Sequence, residues 1–284
     1  MGFEVKSDTE LRKTKFSHKV SKGRLVIGLA LLMLVSCSVL IGYKTVYQPY
    51  MRGMYSTATV EARIQMTAQV KATHAAQFSA TLTAQTIATA TSVARHQKNF
   101  DEITSTFPDI NDDLHTPDTY NWDTGSGCSF VNSSYSSVVS QRGFFLPCIA
   151  KKTQLQNFVY QVDMKIITGD AGGLIIRARE DNSRSYIFVV GQDGSYSIYY
   201  YSGDDRKAAQ TLSDGYSNQI NTGYKQVNTI GVLASGSSLD FYINKKYVTS
   251  VIDNTLSNGQ IGVLANSYKN PTEVFYSHAR IWKL

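Results

Sequence analysis

The sequence predicts an all-β domain of sandwich or barrel type, carried behind a membrane-length helix and a helical spacer. Three stretches predict this. Nineteen residues from Leu25 to Tyr43 (LVIGLALLMLVSCSVLIGY) pass without a charge, a proline or an amide. An Ala/Thr/Gln-rich segment with an internal repeat follows as far as Lys98. Beyond it the chain turns to short β-branched and aromatic runs separated by Gly, Asn, Asp and Ser.

The apolar run comes first. At a rise of 1.5 Å per residue it makes a helix of about 28 Å, close to the roughly 30 Å hydrocarbon core of a bilayer. Lys13, Lys15, Lys19, Lys22 and Arg24 precede it, whereas only Lys44 and Arg52 follow over a similar distance. Positive residues stay in the cytoplasm, so residues 1–24 form a basic cytoplasmic head, residues 25–43 the span, and everything after Tyr43 lies outside. Two other readings use the same stretch. A cleaved secretory signal also has a basic head and an apolar run, but no A-x-A site follows this one. Leu34-Val35-Ser36-Cys37 has the form of a bacterial lipoprotein box with Cys37 as the lipidated residue, although the run stays apolar through Val39, Leu40 and Ile41. All three export the C-terminal domain.

The formal charge of +6 belongs to the region beside the membrane. Residues 1–52 hold 9 Lys and Arg against 3 Asp and Glu, residues 53–98 hold 4 against 1, and residues 99–284 hold 15 against 18. A domain with a small acidic excess offers no basic footprint for nucleic acid.

Residues 44–98 read as a spacer. IQMTAQVK (64–71), ATHAAQFS (72–79), ATLTAQTI (80–87) and ATATSVAR (88–95) stack as an eight-residue repeat with Thr73, Thr81 and Thr89 in register, and Gln69, Gln77 and Gln85 likewise. Alanine content and the lack of Gly or Pro from Met54 to Lys98 favour a helix, while threonine opposes one and leaves an irregular stalk as the alternative. Eight residues advance a helix by about 800°, so the repeat drifts around it rather than forming a heptad seam. His74 and His96 have no second metal ligand at i+4 and read as solvated.

From Asn99 the strands begin. FVYQVDMKII (158–167), GLIIRAR (173–179), SYIFVV (185–190), SYSIYYY (195–201), VNTIGVLA (227–234), SLDFYI (238–243), YVTSVI (247–252), QIGVLA (260–265) and EVFYSHARIW (273–282) all have strand composition. Asp193-Gly194, Asn258-Gly259 and Asn244-Lys245-Lys246 supply turns. Alternation sends Val162, Met164 and Ile166 to a core and Gln161, Asp163 and Lys165 to water; in SLDFYI it sends Leu239, Phe241 and Ile243 inward and Asp240, Tyr242 and Asn244 outward. Cys128 and Cys148, the two cysteines of this domain, pair as a disulfide in an oxidising exterior. They are too few for a zinc site, and His115 and His278 lack finger spacing.

The stretches GGLIIRAREDNSRSYIFVVGQDGSYSIYYY, VNTIGVLASGSSLDFYINKKYVTSVID, GQIGVLA and TEVFYSHARIWKL resemble the concanavalin A-like lectin/glucanase superfamily, nearest to its laminin-G-like and 3-keto-disaccharide-hydrolase-type members. The resemblance covers roughly residues 120–284 and implies a jelly-roll sandwich. It implies little about function, since such sandwiches serve as lectins, hydrolases and protein-binding modules. A calcium ion of the laminin-G kind would draw on Asp170, Asp181 or Asp204. The E-x-D-x-x-E string of laminarinase-type members is missing, and the domain's only glutamates are Glu102, Glu180 and Glu273. No G-x-S-x-G, H-E-x-x-H or P-loop is present either, so no catalytic residue is assigned.

Binding has better material. Tyr186, Tyr196, Tyr199, Tyr200, Tyr201 and Tyr242 lie on neighbouring strands, and an aromatic face with a polar tip suits sugar stacking or a protein interface. Arg177, in mid-strand, would reach a carboxylate or a ligand hydroxyl. The expected ligand contacts are Arg177, Tyr186, Tyr199, Tyr201 and Tyr242, in an extracellular module for carbohydrate or another cell-envelope partner, with a divergent sugar hydrolase and a structural interaction module as alternatives.

Overall fold

The structure, a computed structural model, describes residues 22–117, 120–203 and 209–284; nearly all of the basic head and Asp204 lie outside them. The chain forms two units, residues 1–83 and 84–284. In the first, helix α1 (Lys22–Gly42) passes through a π-helical turn (Tyr43–Tyr47) into helix α2 (Gln48–Thr104), which continues into the second unit. The apolar part of α1 is long and apolar enough to cross a membrane, a test that a signal sequence also passes. Leu29 to Ile41 expose their side chains, and the free Cys37 is exposed among them. The π turn accommodates Pro49. The Gln48 N–H bonds to the Tyr43 carbonyl, and this wider turn precedes the proline, whose ring would otherwise press on the carbonyl of Thr45.

The spacer is helical, and its threonines are accommodated by bonding back to the helix. Thr73, Thr81 and Thr89 each donate a hydroxyl bond of 2.9 Å to the carbonyl four residues back, on Gln69, Gln77 and Gln85. These are the residues that recur in register, so each repeat places a threonine where its hydroxyl finds a partner within the helix.

The second unit has three apolar layers. Strands β1 (Ile110–Asp112), β2 (Cys128–Val131), β3 (Ser134–Val139), β4 (Phe144–Leu155), β5 (Phe158–Thr168), β6 (Ala171–Ala178), β7 (Ser185–Gly191), β8 (Ser195–Tyr201), β9 (Gln210–Tyr216), β10 (Val227–Ser235), β11 (Ser238–Ile243), β12 (Lys246–Ile252), β13 (Gly259–Ser267) and β14 (Thr272–Lys283) form two antiparallel sheets. One runs β12-β11-β10-β5-β14-β3-β2, with β1 also on β14; the other runs β4-β13-β6-β7-β8-β9. All nine strands expected from the sequence are present, and β1 to β4 and β9 are additional. The middle layer fills the space between the sheets: Val162, Met164 and Ile166 of the first face Leu174, Ile176 and Phe188 of the second, and Phe188 meets Phe241 at 4.8 Å. The expectation of a sandwich is met at the level of two packed antiparallel sheets.

Cys128 on β2 and Cys148 on β4 are bonded, which joins an edge strand of one sheet to an edge strand of the other. Replacing both by serine is expected to lower stability by about 3 kcal/mol through the extra freedom of the unfolded chain, without abolishing the fold. Urea unfolding of the wild type and the double variant checks this, and coincident midpoints would refute it.

The outer layer on the eight-stranded sheet corrects three sequence expectations. Helix α2 does not stop with the repeat at Lys98; its last turns cover the outer side of β10, β11, β5 and β14, where Phe100, Val159, Leu233, Tyr242 and Trp282 form a buried cluster. Phe100 stacks on Tyr242 with ring centroids 3.7 Å apart. His96 is therefore not solvated. Its Nδ1 lies 2.8 Å from Asp240 Oδ2, and its ring stacks on Tyr247. Gln97 donates to the Lys245 carbonyl and accepts from the Tyr247 N–H. Asp240 and Tyr242 consequently do not face water: both are buried, and the Tyr242 hydroxyl donates to the His96 carbonyl at 2.9 Å.

Candidate groove on the six-stranded sheet

The third layer lies on the other side of the sandwich, on the outer face of the six-stranded sheet. Register puts Ile149, Gly262, Ile175, Ile187, Tyr199 and Thr211 in one row across that face, from β4 to β9. The adjacent row is Pro147, Leu264, Gly173, Val189, Ser197 and Asp214. An outward-facing row would ordinarily be polar. Here Ile149, Ile175, Ile187, Val189 and Leu264 are each no more than 3% exposed, because Phe145, Tyr199 and Tyr201 pack over them.

Phe145 and Tyr201 stand at opposite ends of the register, the one beside Asn266 on β13 and the other beside Ser185 on β7. Four strand steps of about 4.8 Å, with a six-residue offset of about 3.3 Å per residue along the strands, would hold them about 28 Å apart in a flat sheet. Their ring centroids are 5.2 Å apart, edge to face. The twist of the sheet has therefore brought diagonal corners together over a concave face. This aromatic pair divides the groove. On one side a cavity of about 550 Å³ is bounded by Phe144, Pro147, Ile149, Ile175, Ala178, Asn182 and Ser185. On the other a cavity of about 230 Å³ is bounded by Ile187, Val189, Tyr199, Asn266 and Tyr268. The Tyr268 and Tyr199 hydroxyls are hydrogen-bonded, and burial together with that contact pushes the Tyr268 phenol well up, so it stays neutral and able to donate.

The five expected ligand residues separate accordingly. Tyr199 and Tyr201 line the groove. Tyr242 is under the helix. Tyr186 points between the sheets with its hydroxyl 2.5 Å from Asp253 Oδ1, and its phenol is pushed up to about 12 by burial and by that carboxylate. Arg177 is also turned inward. Alternation along β6 would aim it outward with Ile175, but it has φ 52°, in the left-handed region, at a register shift opposite Gln260 and Gly262. This bulge reverses its direction. It is fully buried, and its guanidinium donates to the carbonyls of Gln156 at 2.6 Å and of Gly236 and Leu256 at 2.9 Å. Burial lowers its pKa while these carbonyl dipoles solvate the cation. Arg177 and Tyr186 brace loops and are not open to a ligand.

Phe144, Phe145 and Tyr268 escaped the sequence reading. The only signal was the aromatic pair that opens β4, a strand obscured by Pro147, Lys151 and Lys152. Of the residues expected to hold calcium, Asp170 and Asp181 have partners within the chain, and Asp204 lies outside the described residues. The Asp170 carboxyl, raised by burial, is held below its usual range overall by the N–H groups of Asn270 and Lys269. Asp181 caps the Ser183 N–H in an exposed turn. Among the described residues no three His, Cys, Asp or Glu side chains gather as metal ligands.

The glutamates do not converge either. Glu102 pairs with Lys98 on the helix, Glu180 lies in the turn after β6, and Glu273 is on β14 of the other sheet. Among the described residues, none of those bounding either cavity is acidic, basic or a histidine.

No protein-family model matches the chain, and no curated protein matches it in sequence. Solved structures similar to it include the carbohydrate-binding module CBM66 from Bacillus subtilis, at 18% identity and TM-score 0.47 over 57% of this chain and 95% of that one. A Bacillus subtilis protein of unknown function with a galectin-like fold is similar at 11% identity and TM-score 0.49, over 63% and 96%. So is a Bacillus licheniformis beta-glucanase, at 11% identity and TM-score 0.44, over 63% and 100%.

Proposed function

We propose that this chain is a non-catalytic, membrane-anchored binding protein that holds a glycan in the concave groove of its exported domain. The observation that carries the reading is the aromatic wall of Phe144, Phe145, Tyr199, Tyr201 and Tyr268 around the two cavities. Phe144, 53% exposed, offers a free ring face for a pyranose. A hydrolase would need two carboxylates across the scissile bond, and the described residues of the groove walls supply none. The helix end at Phe100 and Ile103 packs on the opposite face of the sandwich from the groove. The Leu25–Tyr43 run, with the basic residues before it, supports an anchor with its N-terminus in the cytoplasm; Cys37 then lies within the span as an unmodified thiol.

A few stacking contacts of about 0.5–1.5 kcal/mol each imply weak affinity, on the order of 0.1–1 mM per site. Titration of the full-length chain in detergent micelles against oligosaccharides is expected to show such binding, with Tyr199→Ala and Phe144→Ala each weakening it about threefold to tenfold and Arg177→Lys having no direct effect on it. External protease should release the domain from intact cells. Unchanged affinity in both aromatic variants would remove the groove from consideration, and turnover of a glycoside that disappears on neutralising one Asp or Glu would make the chain a hydrolase.

A further inference from the structure

Resting on the reading of Leu25–Tyr43 as an anchor with its N-terminus in the cytoplasm, we propose that Tyr43, Tyr47 and Tyr50 form a second, interfacial part of that anchor, with their rings seated among the phospholipid headgroups of the outer leaflet. The first 119 residues of the chain hold four tyrosines, and all four fall between residues 43 and 55, directly after the apolar run. Tyr43, Tyr47 and Tyr50 follow the i, i+4 and i+7 spacing of one helix face, and the rings of Tyr43 and Tyr47 stack with centroids 5.3 Å apart. All three are half or more exposed, at 50%, 51% and 65%.

Length places these rings at the membrane surface. With Leu25 at the inner edge of a core roughly 30 Å thick, about 20 residues of helix cross it, and the outer edge falls at Tyr43 and Lys44. The headgroup layer beyond is about 5–8 Å deep. The Tyr47 backbone stands about 6 Å above that of Tyr43, and the Tyr50 backbone about 10 Å above it. Helical side chains lean toward the N-terminus, which here is the direction of the bilayer, so these rings hang below their own Cα atoms. A tilt of about 20° toward the tyrosine face, the average for membrane spans, lowers Tyr50 further. Tyrosine suits this layer because its ring is apolar and its hydroxyl polar. Lys44, Thr45 and Gln48, set between the rings, make the segment amphipathic, as a plain extension of the hydrocarbon span would not be. Tyr55 follows Tyr50 by five residues, on another face and about 18 Å above Tyr43, and serves as the contrast.

The test uses the full-length variants Tyr47→Trp, Tyr50→Trp and Tyr55→Trp in phosphatidylcholine vesicles, with the wild type, whose Trp122 and Trp282 are buried in the sandwich, as background. Lipids brominated close to the glycerol backbone are expected to quench the tryptophan added at position 47 or 50 at least about twofold more than lipids brominated at the acyl-chain ends. The tryptophan added at position 55 should respond to neither lipid and be quenched by aqueous acrylamide. Acrylamide quenching at positions 47 and 50 equal to that at 55 overturns the inference, because the rings then stand in water. Stronger quenching by the deep bromines also overturns it, by placing the rings in the hydrocarbon. Protection from every quencher overturns it too, in favour of a neighbouring helix covering this face. The anchor reading fails separately: a chain that leaves the vesicles on an alkaline wash is not a membrane span, and both readings then fall together.

Discussion

Replacing Arg177 by methionine is expected to destabilise the domain by about 3–5 kcal/mol, a loss of roughly 10 °C in Tm. The side chain ties three separate connections together: Gln156 between β4 and β5, Gly236 between β10 and β11, and Leu256 between β12 and β13. Removing the guanidinium leaves three carbonyls at this end of the sandwich without their donor, and an unsatisfied buried acceptor costs about 1–3 kcal/mol. Lysine should rescue little, because a single ammonium cannot span oxygens that the planar fork reaches in several directions. Thermal unfolding of both variants measures the loss. Full stability with weakened glycan binding would return Arg177 to the ligand site, where the sequence first suggested it.

Phe100→Ala should free the end of helix α2 from the sandwich, at a cost of about 3–5 kcal/mol. The ring is fully buried in the cluster formed with Tyr242, Val159, Leu233 and Trp282, with Ile103 and Tyr247 beside it. Around it lie the polar contacts of His96 with Asp240, of Gln97 with the Asn244-Lys245 hairpin and of Trp282 Nε1 with the Thr106 carbonyl. Hydrogen exchange resolves the effect by residue. Amides from His96 to Thr104 should lose protection, while those of β6 and β7 keep theirs; unchanged protection of the helix end would show that the polar contacts alone hold it. Glycan affinity should survive this substitution, since the groove is on the far side of the sandwich.

Local chemistry made much of this protein legible in its sequence. The uncharged run from Leu25 to Tyr43, the helix-forming repeat, nine of the strands and the Asn244-Lys245 turn each depend on residues within one element, and composition and period report such elements directly. The turn residues Asn244 and Lys245 take φ of 51° and 65°, the left-handed pair that a two-residue hairpin requires. The Cys128–Cys148 pairing also followed, because the domain offered no other partner for either thiol.

Tertiary structure decided which of these surfaces meet solvent or a ligand. The outer side of β11 reads as polar, yet Asp240 is buried by His96, 144 residues earlier in the chain, and no local pattern records that contact. One left-handed residue within β6 turned Arg177 from the groove into the loops, because side-chain alternation holds only while the register is unbroken. Sheet twist then brought Phe145 against Tyr201 from opposite corners of the six-stranded sheet, making a groove whose walls come from strands far apart in sequence. Composition and alternation act over a few residues and therefore specify the elements; twist, bulges and helix docking act between elements, and they alone determine where the groove lies.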